Sequence, residues 1–389
     1  MIRTYKYRLS PTKKQTYTLA ALFDQMQTVY NDALHERRWA WQRSRRSVTY
    51  CDQWKRIRDE RHRLPDEMGL LNATSMQQML RRVDKAHREF YKGKRGAPRY
   101  KGRHRFKSVE YRHGDGCKLA GKTLYIQHVG NVKVKLHRPL PDGAEIKHVV
   151  VKRSIAKWYV CLMLELPDVA PSAHTGPAVG IDVGLHHLLA LSDGGTVENP
   201  RWLRHGLAKL RVAQRRMARR KKFSSGWRKA ARQVAQLQEH VANQRLDFWH
   251  KTTTALVRQY NLIAIEDLNL AFMTRNGSLS LSAHDAALGA YRRLLSYKVE
   301  NTGSELVAVP AHNTSRVCSG CGSIVEKSLR VRVHHCPDCG IVLDRDVNAA
   351  RNILTRALGR SVRTSTWADA PCVVLEAPTV RSRTPLSRG

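Results

Sequence analysis

Acidic residues are scarce in this sequence. Asp and Glu together number 32 against 69 Lys and Arg, which gives the 389-residue chain a formal net charge of +37 at pH 7. An excess of this size attracts polyanions, and its usual use is to neutralise phosphates with release of counterions. A basic protein that is merely soluble would not need so many cations, so the composition predicts nucleic acid as a partner.

Long apolar runs and a disulfide framework are lacking as well. No apolar segment approaches the ~20 residues that span a bilayer, so we expect no membrane partner, and the first ten residues contain no signal-peptide core. Four of the eight cysteines form two CxxC pairs, and the other four are scattered. This usage fits a reducing cytosol and one metal site.

Hydrophobic periodicity indicates how the chain is organised. Strand-like alternation predicts a β-barrel built from residues 1–10 and 100–170, and helical spacing predicts a helical bundle at residues 11–99. Residues 167–178 contain three Pro and few large apolar side chains, so they are the best linker candidate. Strands and helices continue beyond the linker, and the residues after 360 resemble a disordered tail.

Two stretches are unusually basic. Residues 92–107 alternate Lys and Arg with Gly and Pro and place Tyr100 and Phe106 between the cations. Surfaces that track a nucleic-acid backbone combine cations for phosphates with flat rings for stacking. Between Arg201 and Arg232 there are thirteen Lys or Arg and no acid. Some of these cations are simply solvated, but we expect the basic helices there to form a nucleic-acid cradle.

Two acids stand in apolar strands. Asp182 lies in GIDVG, where Ile181 and Val183 point one way and Asp182 the other. Glu266 ends LIAIE with Asp267 beside it, and since alternation lets only one of the two face the site, we choose Glu266. Burying a carboxylate is costly unless a cation or a donor meets it, so such an acid usually holds a metal or catalyses. For Asp182 the alternative is a surface position on an edge strand.

The sequence LDRDVNAARNI supplies a third acid, which is either Asp344 or Asp346. At about 100° per residue, Asp346 falls on the apolar stripe of Ala350 and Ile353, which must face the sheet. Asp344 lies nearly opposite or serves as the N-cap of the helix. We therefore choose Asp346 as the third site residue.

The three carboxylates together predict a metal site. Converging without countercharge they would repel one another strongly, and divalent metals remove that cost. Paired Mg²⁺ ions can polarise an attacking water and stabilise the leaving oxygen of a phosphodiester. Carboxylates that leave room for water suit Mg²⁺ or Mn²⁺ better than zinc, so the trio predicts a metal-dependent nuclease.

The paired cysteines predict a second, structural metal. They form two CxxCG knuckles separated by fourteen residues, Cys318, Cys321, Cys336 and Cys339. This is the spacing of a tetrahedral zinc ribbon, and four thiolates leave no open position on the ion. His334 and His335 are alternatives to one thiolate. A redox role is disfavoured because the motif occurs twice without a thioredoxin-like context.

Five motifs stand in one order across residues 179–354: GIDVG, IAIEDLN, NTSRVCSGCG, HCPDCG and LDRDVNAARNI. In order and spacing they resemble the TnpB family of transposon-encoded RNA-guided DNA nucleases, relatives of the compact type V CRISPR effectors. The opening YKYRLSPTKKQ is also similar to the family's start. The resemblance implies a bacterial or archaeal cytoplasmic protein associated with the nucleoid. It leaves the oligomeric state open, with a monomer as the expectation.

The fold implied by the resemblance is multidomain, α+β and α/β. The β-barrel becomes a wedge-like domain and the inserted bundle a helical recognition domain. An RNase H-like RuvC nuclease domain follows at residues 178–313 and 341–360, with a zinc ribbon inserted at residues 314–340. Residues 361–389 are left as a disordered tail.

The activity implied by the resemblance is cleavage of double-stranded DNA next to a short adjacent motif. Asp182, Glu266 and Asp346 would cut, and a guide RNA derived from the transposon end would select the target by base pairing. Arg316 matches a family position and, with Asp344, is expected to support catalysis. The residues expected to contact nucleic acid are Gln77, Gln78, Arg95, Arg99, Tyr100, Lys101, Arg103, Arg105, Arg215 and Arg219.

Other functions account for less of the sequence. An RNA-guided repressor without cleavage would lack at least one acid of the trio. An RNase H-like junction resolvase would share the sheet and the acids but would not require the ribbon or so much basic surface. A strand-transfer transposase would need its own nucleophile, which the HHLLA stretch at residues 186–190 does not provide.

Overall fold

The structure, a computed structural model, describes residues 2–64, 68–102, 105–155, 157–167, 175–268, 270–275, 277, 279–328 and 331–359. The chain divides into two compact units, Met1–Val169 and Ala170–Gly389, and the division falls inside the segment 167–178. The predicted tail at residues 361–389 lies outside the described residues. Among the described helices, none combines the length and apolarity needed to cross a bilayer.

The first unit is built on one antiparallel sheet. Its strands are β1 (Ile2–Ser10), β2 (Ser108–Arg112), β3 (Cys117–Ala120), β4 (Thr123–Ile126), β5 (Gly130–Lys135), β6 (Glu145–Ser154) and β7 (Lys157–Glu165). They lie in the order β2-β6-β7-β1-β5-β4-β3, so the first strand of the chain is central. In the part of the chain that the structure describes, no ladder joins β2 to β3. The strands predicted for the barrel therefore form a seven-stranded sheet.

Three helices separate β1 from the rest of this sheet: α1 (Lys13–Ser44), α2 (Tyr50–Arg63) and α3 (Ala73–Tyr91). Each begins at a polar cap, because the side chains of Thr12, Thr49 and Asn72 accept the backbone N–H three residues later. The ring of Phe23 on α1 packs edge-on against Trp158 of β7, with centroids 5.1 Å apart. Aromatic burial thus ties the helices to the sheet.

The second unit contains a mixed sheet of β8 (Ala178–Val183), β9 (His187–Leu191), β10 (Thr196–Glu198), β11 (Leu262–Glu266) and β12 (Glu305–Val309). The order is β10-β9-β8-β11-β12. The first three strands form an antiparallel meander, whereas β11 runs parallel to both β8 and β12.

The helices of the second unit are α4 (Trp202–Ala218), α5 (Ser225–Gln259), α6 (Leu270–Arg275), α7 (Ser280–Ala286), α8 (Leu288–Thr302) and α9 (Arg345–Leu358). A small hairpin of β13 (Val333–His335) and β14 (Val342–Asp344) precedes α9. The two faces of the mixed sheet are covered by different helices. Ile181 and Ile265 pack with α5 and α8 on one face, while Ala264 on the other face meets Ile353 of α9.

Gly180 lets α9 approach β8 very closely. A Cβ atom at this position would stand 2.0 Å from the carbonyl oxygen of Ala350 and 2.7 Å from the backbone nitrogen of Leu354. Backbone atoms cannot swing aside as the end of a flexible side chain can, so only glycine permits this contact. The contact fixes which turn of α9 faces β8.

Replacing Gly180 with Ala should lower the free energy of unfolding by about 1–3 kcal/mol, the usual cost of overpacking, because α9 must move off β8. Gly289→Ala is the matched control. An added Cβ there meets no atom within 4 Å, and alanine in a helix stabilises by about 0.5–1 kcal/mol relative to glycine. Chemical denaturation measures both variants. If Gly180→Ala has the same free energy of unfolding as the wild type, the close contact between α9 and β8 is contradicted.

Candidate active site and zinc centre

Asp182 and Glu266 lie at the carboxyl ends of neighbouring parallel strands. The register of β8 and β11 pairs Ile181 with Ile265, and the two acids follow these residues directly. Adjacent strands lie about 4.8 Å apart. Because Ile181 and Ile265 point into the core with α5 and α8, strand alternation directs both acids to the opposite face, where α9 lies.

Asp346 reaches the same place from α9. Ala350 contacts Gly180, and Asp346 stands four residues, about 6 Å along the helix axis, before Ala350. Asp182 stands two residues, about 6.6 Å, beyond Gly180 on the strand. The two steps run in the same direction, because the charges of Asp346 and Arg345, at the start of α9, act on Asp182 at the carboxyl end of β8. The helix therefore carries Asp346 over Asp182.

The electrostatics of Asp182 show that the acids influence one another. Burial raises the pKa of Asp182 to about 8, and the negative charges of Glu266 and Asp346 add to the rise. The cation of Arg345 acts in the opposite direction but does not cancel it. Burial also raises the pKa of Glu266, against a hydrogen bond donated by the hydroxyl of Thr314. This is a cluster of hard oxygen donors whose charge is undercompensated, and such a donor set fits a divalent cation.

The two acids next to the trio face elsewhere. Oδ1 of Asp344 accepts the backbone N–H groups of Asp346 at 2.8 Å and Val347 at 3.2 Å, so Asp344 is the N-cap of α9. Asp267 is exposed and forms an ion pair with Arg292 at 2.7 Å. Its side chain is turned away from α9, as strand alternation predicted. A supporting catalytic role for Asp344 stays a prediction.

Two arginines act on the acids, Arg345 on Asp182 and Arg332 on Asp346, whereas the predicted Arg316 pairs elsewhere. Arg345, the first residue of α9, is buried. A guanidinium nitrogen of Arg332 lies 3.5 Å from a carboxylate oxygen of Asp346. Arg316, predicted to support catalysis, forms an ion pair with Glu326 and is about one-third exposed. Of these three arginines, Arg332 is the one that forms an ion pair with an acid of the trio, and no sequence pattern singled it out.

The four predicted cysteine ligands converge. Their sulfur atoms all lie within 4.8 Å of one another, with Cys318 3.6 Å from Cys339 and Cys321 3.5 Å from Cys336. A tetrahedron with Zn–S bonds of about 2.3 Å has sulfur atoms roughly 3.8 Å apart, so the group fits zinc. Among the described residues, the three carboxylates do not form so tight a group.

The two cysteine knuckles have the same backbone conformation. In the first, the N–H of Gly322 donates to the carbonyl of Cys318 at 2.9 Å; in the second, Gly340 donates to Cys336 at 3.0 Å. Both glycines have positive φ, 84° and 73°, which explains the glycine after each CxxC. His334 is buried and contacts Lys327, so it lies outside the sulfur group.

Asn348 of α9 binds the first knuckle directly. Its fully buried side chain accepts the N–H of Ser319 at 2.9 Å and donates to the carbonyl of Val317 at 2.7 Å. These two residues flank Cys318. A buried amide whose partners are both backbone groups is costly to disturb, so the zinc knuckle and α9 are held in one geometry.

Asn352, one turn later, extends this connection to the acids. It donates to the carbonyl of Thr314 at 2.8 Å and to that of Val317 at 2.7 Å, and the Thr314 hydroxyl bonds Glu266. The sequence prediction missed both asparagines. The available signal was a pair of amides four residues apart beside an apolar helical stripe, since a buried amide requires partners.

The residues predicted to contact nucleic acid are dispersed over both units. Arg99, Arg105, Arg215 and Arg219 are exposed. Gln77 and Gln78 are half-buried on α3, and Arg95 forms an ion pair with Glu89 at 2.9 Å. Arg103 lies outside the described residues.

Lys101, predicted to contact nucleic acid, is anchored within the first unit. Its backbone N–H donates to Oδ1 of Asn31 at 2.9 Å, and its carbonyl accepts from the same side chain at 3.0 Å. Its ammonium lies 4.1 Å from the ring centroid of Tyr30, and burial lowers the pKa of Lys101. The neighbouring Tyr100 lies under the guanidinium of Arg38, 4.7 Å from the ring centroid. The middle of the basic stretch at residues 92–107 is thus anchored to α1.

Comparison with known proteins defines the class first. Family models match at residues 161–277 (OrfB_IS605, "Probable transposase"), 289–353 (Cas12f1-like, TNB domain) and 1–46 (the helix-turn-helix domain of OrfB_IS605). A cryo-EM structure of a Cas12f1–sgRNA–target DNA complex is similar in fold. The TM-score is 0.56 at 15% identity, covering 87% of this chain and 82% of that chain. The class is thus that of OrfB_IS605 and Cas12f1-like proteins.

Two relatives then give the family. A Streptomyces pristinaespiralis protein named as an RNA-guided DNA endonuclease is 37% identical over 372 residues, covering 92% of this chain and 90% of that protein. InsQ of Escherichia coli K12, named likewise, is 28% identical over 383 residues, covering 93% of each. The chain belongs to the TnpB-like family of RNA-guided DNA endonucleases, which confirms the resemblance seen in its motifs.

Asn348→Ala should weaken the coupling between the zinc ribbon and α9. It leaves the N–H of Ser319 and the carbonyl of Val317 without their partner, at a cost of about 1–3 kcal/mol. Thermal unfolding with and without a zinc chelator measures the coupling. Chelation should destabilise the variant less than the wild type, because the variant has already lost part of the connection. Additive effects of chelation and mutation would contradict this connection.

The pKa of Asp182 determines how stability depends on pH in buffer without Mg²⁺ or Mn²⁺. The pKa rises from 3.8 to about 8 on folding, so between these values the native state binds more protons than the unfolded state. Stability must then fall as pH rises. The Tm should therefore decrease across this range, and Asp182→Asn should flatten the slope. A slope that is the same in both proteins would show that Asp182 is not the titrating group.

Proposed function

We propose that this protein is an RNA-guided endonuclease that cuts double-stranded DNA beside a short adjacent motif, using an RuvC-type site of Asp182, Glu266 and Asp346. One observation carries the proposal. Three carboxylates from β8, β11 and α9 meet on one face of a mixed sheet, where burial and mutual repulsion raise the pKa of Asp182 to about 8. Clusters of this kind are typical of sites that bind a cation or carry out a reaction.

The proposed cofactor is Mg²⁺ or Mn²⁺. When bound, such ions activate a water and stabilise the leaving oxygen of the phosphodiester. The residues that would hold them are the three acids, and bound cations would keep Asp182 deprotonated despite its burial. Zinc at the four cysteines would be structural, since the thiolates occupy every position of the tetrahedron.

The residues around the acids would orient them. The Thr314 hydroxyl fixes one oxygen of Glu266, and Asn352 in turn holds the backbone of Thr314. Arg332 pairs with one oxygen of Asp346 and leaves the other available to a cation. Arg316 would have to leave Glu326 to reach a scissile phosphate.

The proposed partners are a guide RNA derived from the transposon end and the matched target DNA. The net charge of +37 supports binding to two polyanions. The two relatives are named as RNA-guided DNA endonucleases, and the Cas12f1 structure similar in fold is a complex with sgRNA and target DNA. We propose that the first unit reads the adjacent motif, with the half-buried Gln77 and Gln78 of α3 as candidate contacts.

Two isosteric substitutions side by side test the assignment of the acids. Glu266→Gln keeps the acceptor for Thr314 but removes the charge. It should reduce cleavage of guide-matched plasmid by more than the roughly 10–100-fold that loss of an outer-shell partner costs. Asp267→Asn changes the neighbouring exposed acid and should cut nearly as well as the wild type. The assay uses protein purified with its co-expressed RNA, on matched and mismatched plasmids.

Each part of the proposal can fail separately in this assay. Equal cutting by the wild type and Glu266→Gln would contradict the proposed catalytic role of Glu266. Equal cutting of matched and mismatched plasmids would remove guidance by RNA. If the wild type binds matched plasmid but does not cut it, the protein is an RNA-guided repressor and not a nuclease.

A further inference from the structure

The helices α4 and α5 form a hairpin whose end is strongly basic. The hairpin tip, residues 219–229, contains six exposed cations: Arg219, Arg220, Lys221, Lys222, Arg228 and Lys229. Among the described residues none of them forms an ion pair, and the thirteen Lys and Arg between residues 201 and 232 have no acid among them. Within the described part of the second unit, the cations of the tip therefore have no acidic partner.

Phe223 stands in the middle of these cations. Its side chain is 64% exposed, and its backbone has φ 68°, a conformation that is strained for a bulky residue. The ring lies edge-on to Trp227, with centroids 5.5 Å apart, and the ammonium of Lys222 lies 5.3 Å from its centroid. An aromatic ring that is both exposed and on a left-handed backbone weakens the fold at this position.

The turn does not require an aromatic residue here. The N–H of Ser224 donates to the carbonyl of Lys221 at 3.1 Å, and the Ser224 hydroxyl caps α5 by accepting from the N–H of Trp227 at 3.1 Å. These bonds use backbone groups and serine, so glycine would suit position 223 better than phenylalanine. The fold therefore does not explain why position 223 carries a phenylalanine, and we look for a functional reason.

A ring flanked by cations matches the chemistry of an unpaired nucleotide. The ring offers a face on which a base can stack, and every base has such a face. The cations offer contacts to the phosphates on either side. A duplex does not fit as well, since its bases are already stacked on one another.

We propose that Phe223 stacks on an unpaired nucleobase while the cations of the hairpin tip hold the flanking phosphates. The proposal shares with the proposed function only the presence of nucleic acid; it needs neither cleavage nor the three acids. The unpaired base belongs either to an open segment of the guide RNA or to a separated DNA strand. The chemistry is the same in both.

Binding measurements on the full chain without Mg²⁺ test the stacking. The ligands are a short single-stranded RNA, the same sequence as DNA, and each annealed to its complement. Phe223→Ala should weaken single-strand binding by about 5- to 150-fold with an unchanged salt dependence, and should leave duplex binding unaltered. Phe223→Trp should retain single-strand affinity. Lys222→Ala should lower the slope of log K against log salt by roughly 0.7.

Phe223→Gly separates this role from a structural one. Glycine relieves the left-handed backbone, so its Tm should equal or exceed that of the wild type while single-strand affinity falls as in Phe223→Ala. A lower Tm with unchanged affinity would show that Phe223 serves the fold, and would overturn the proposal.

Photo-crosslinking locates the base. Oligonucleotides that carry 5-iodouracil should crosslink to the peptide containing Phe223, and the crosslink should disappear in Phe223→Ala. A stronger crosslink to RNA than to DNA would assign the site to the guide, and the reverse would assign it to a separated DNA strand. Crosslinks confined to other peptides would contradict the proposal whether or not the protein cuts DNA.

Discussion

The close approach of α9 to β8 over Gly180 is the contact on which the candidate active site depends. It brings backbone to backbone, with Ala350 and Leu354 lying where any side chain on Gly180 would stand. Once this turn of the helix is fixed, the position of Asp346 over Asp182 follows from the rise of a helix and of a strand. A single missing Cβ atom therefore sets the distance between acids that lie 164 residues apart in the sequence.

The same helix joins the acids to the zinc centre. Asn348 holds the backbone on both sides of Cys318, and Asn352 holds Thr314, which bonds Glu266. The ribbon is therefore more than a separate small module, because its first knuckle is bonded to the element that carries Asp346. Repulsion among the three acids pushes this arrangement apart, and the amide hydrogen bonds oppose that tendency.

Much of the site could be predicted from local patterns. Strand alternation selected Glu266 over Asp267, helical periodicity selected Asp346 over Asp344, and the structure places each of these side chains as expected. The cysteine spacing predicted a sulfur group that the structure contains. The cysteine group is confirmed, while the roles of Glu266 and Asp346 stay predictions. Local patterns can indicate such positions because each pattern records which face of its own element is buried.

What the sequence could not show are contacts between distant segments. The hydrogen-bond partners of Asn348 lie about 30 residues away in the sequence, and no pattern within its own helix indicates which groups they are. Lys101 was predicted to contact nucleic acid, and its anchor, Asn31, lies 70 residues earlier in the chain on α1. Gly180 is part of the GIDVG motif, and nothing in that motif indicates that its missing side chain admits the backbone of α9. In each case a tertiary partner decides what the residue does.

The most direct test of the account is anomalous X-ray scattering from crystals of the protein grown with Mn²⁺. We expect manganese peaks coordinated by carboxylate oxygens of Asp182, Glu266 and Asp346 on the α9 face of the mixed sheet, and none there in Asp182→Asn. Manganese bound only elsewhere, with the three carboxylates turned apart, would contradict the claim that these acids form one metal-binding site.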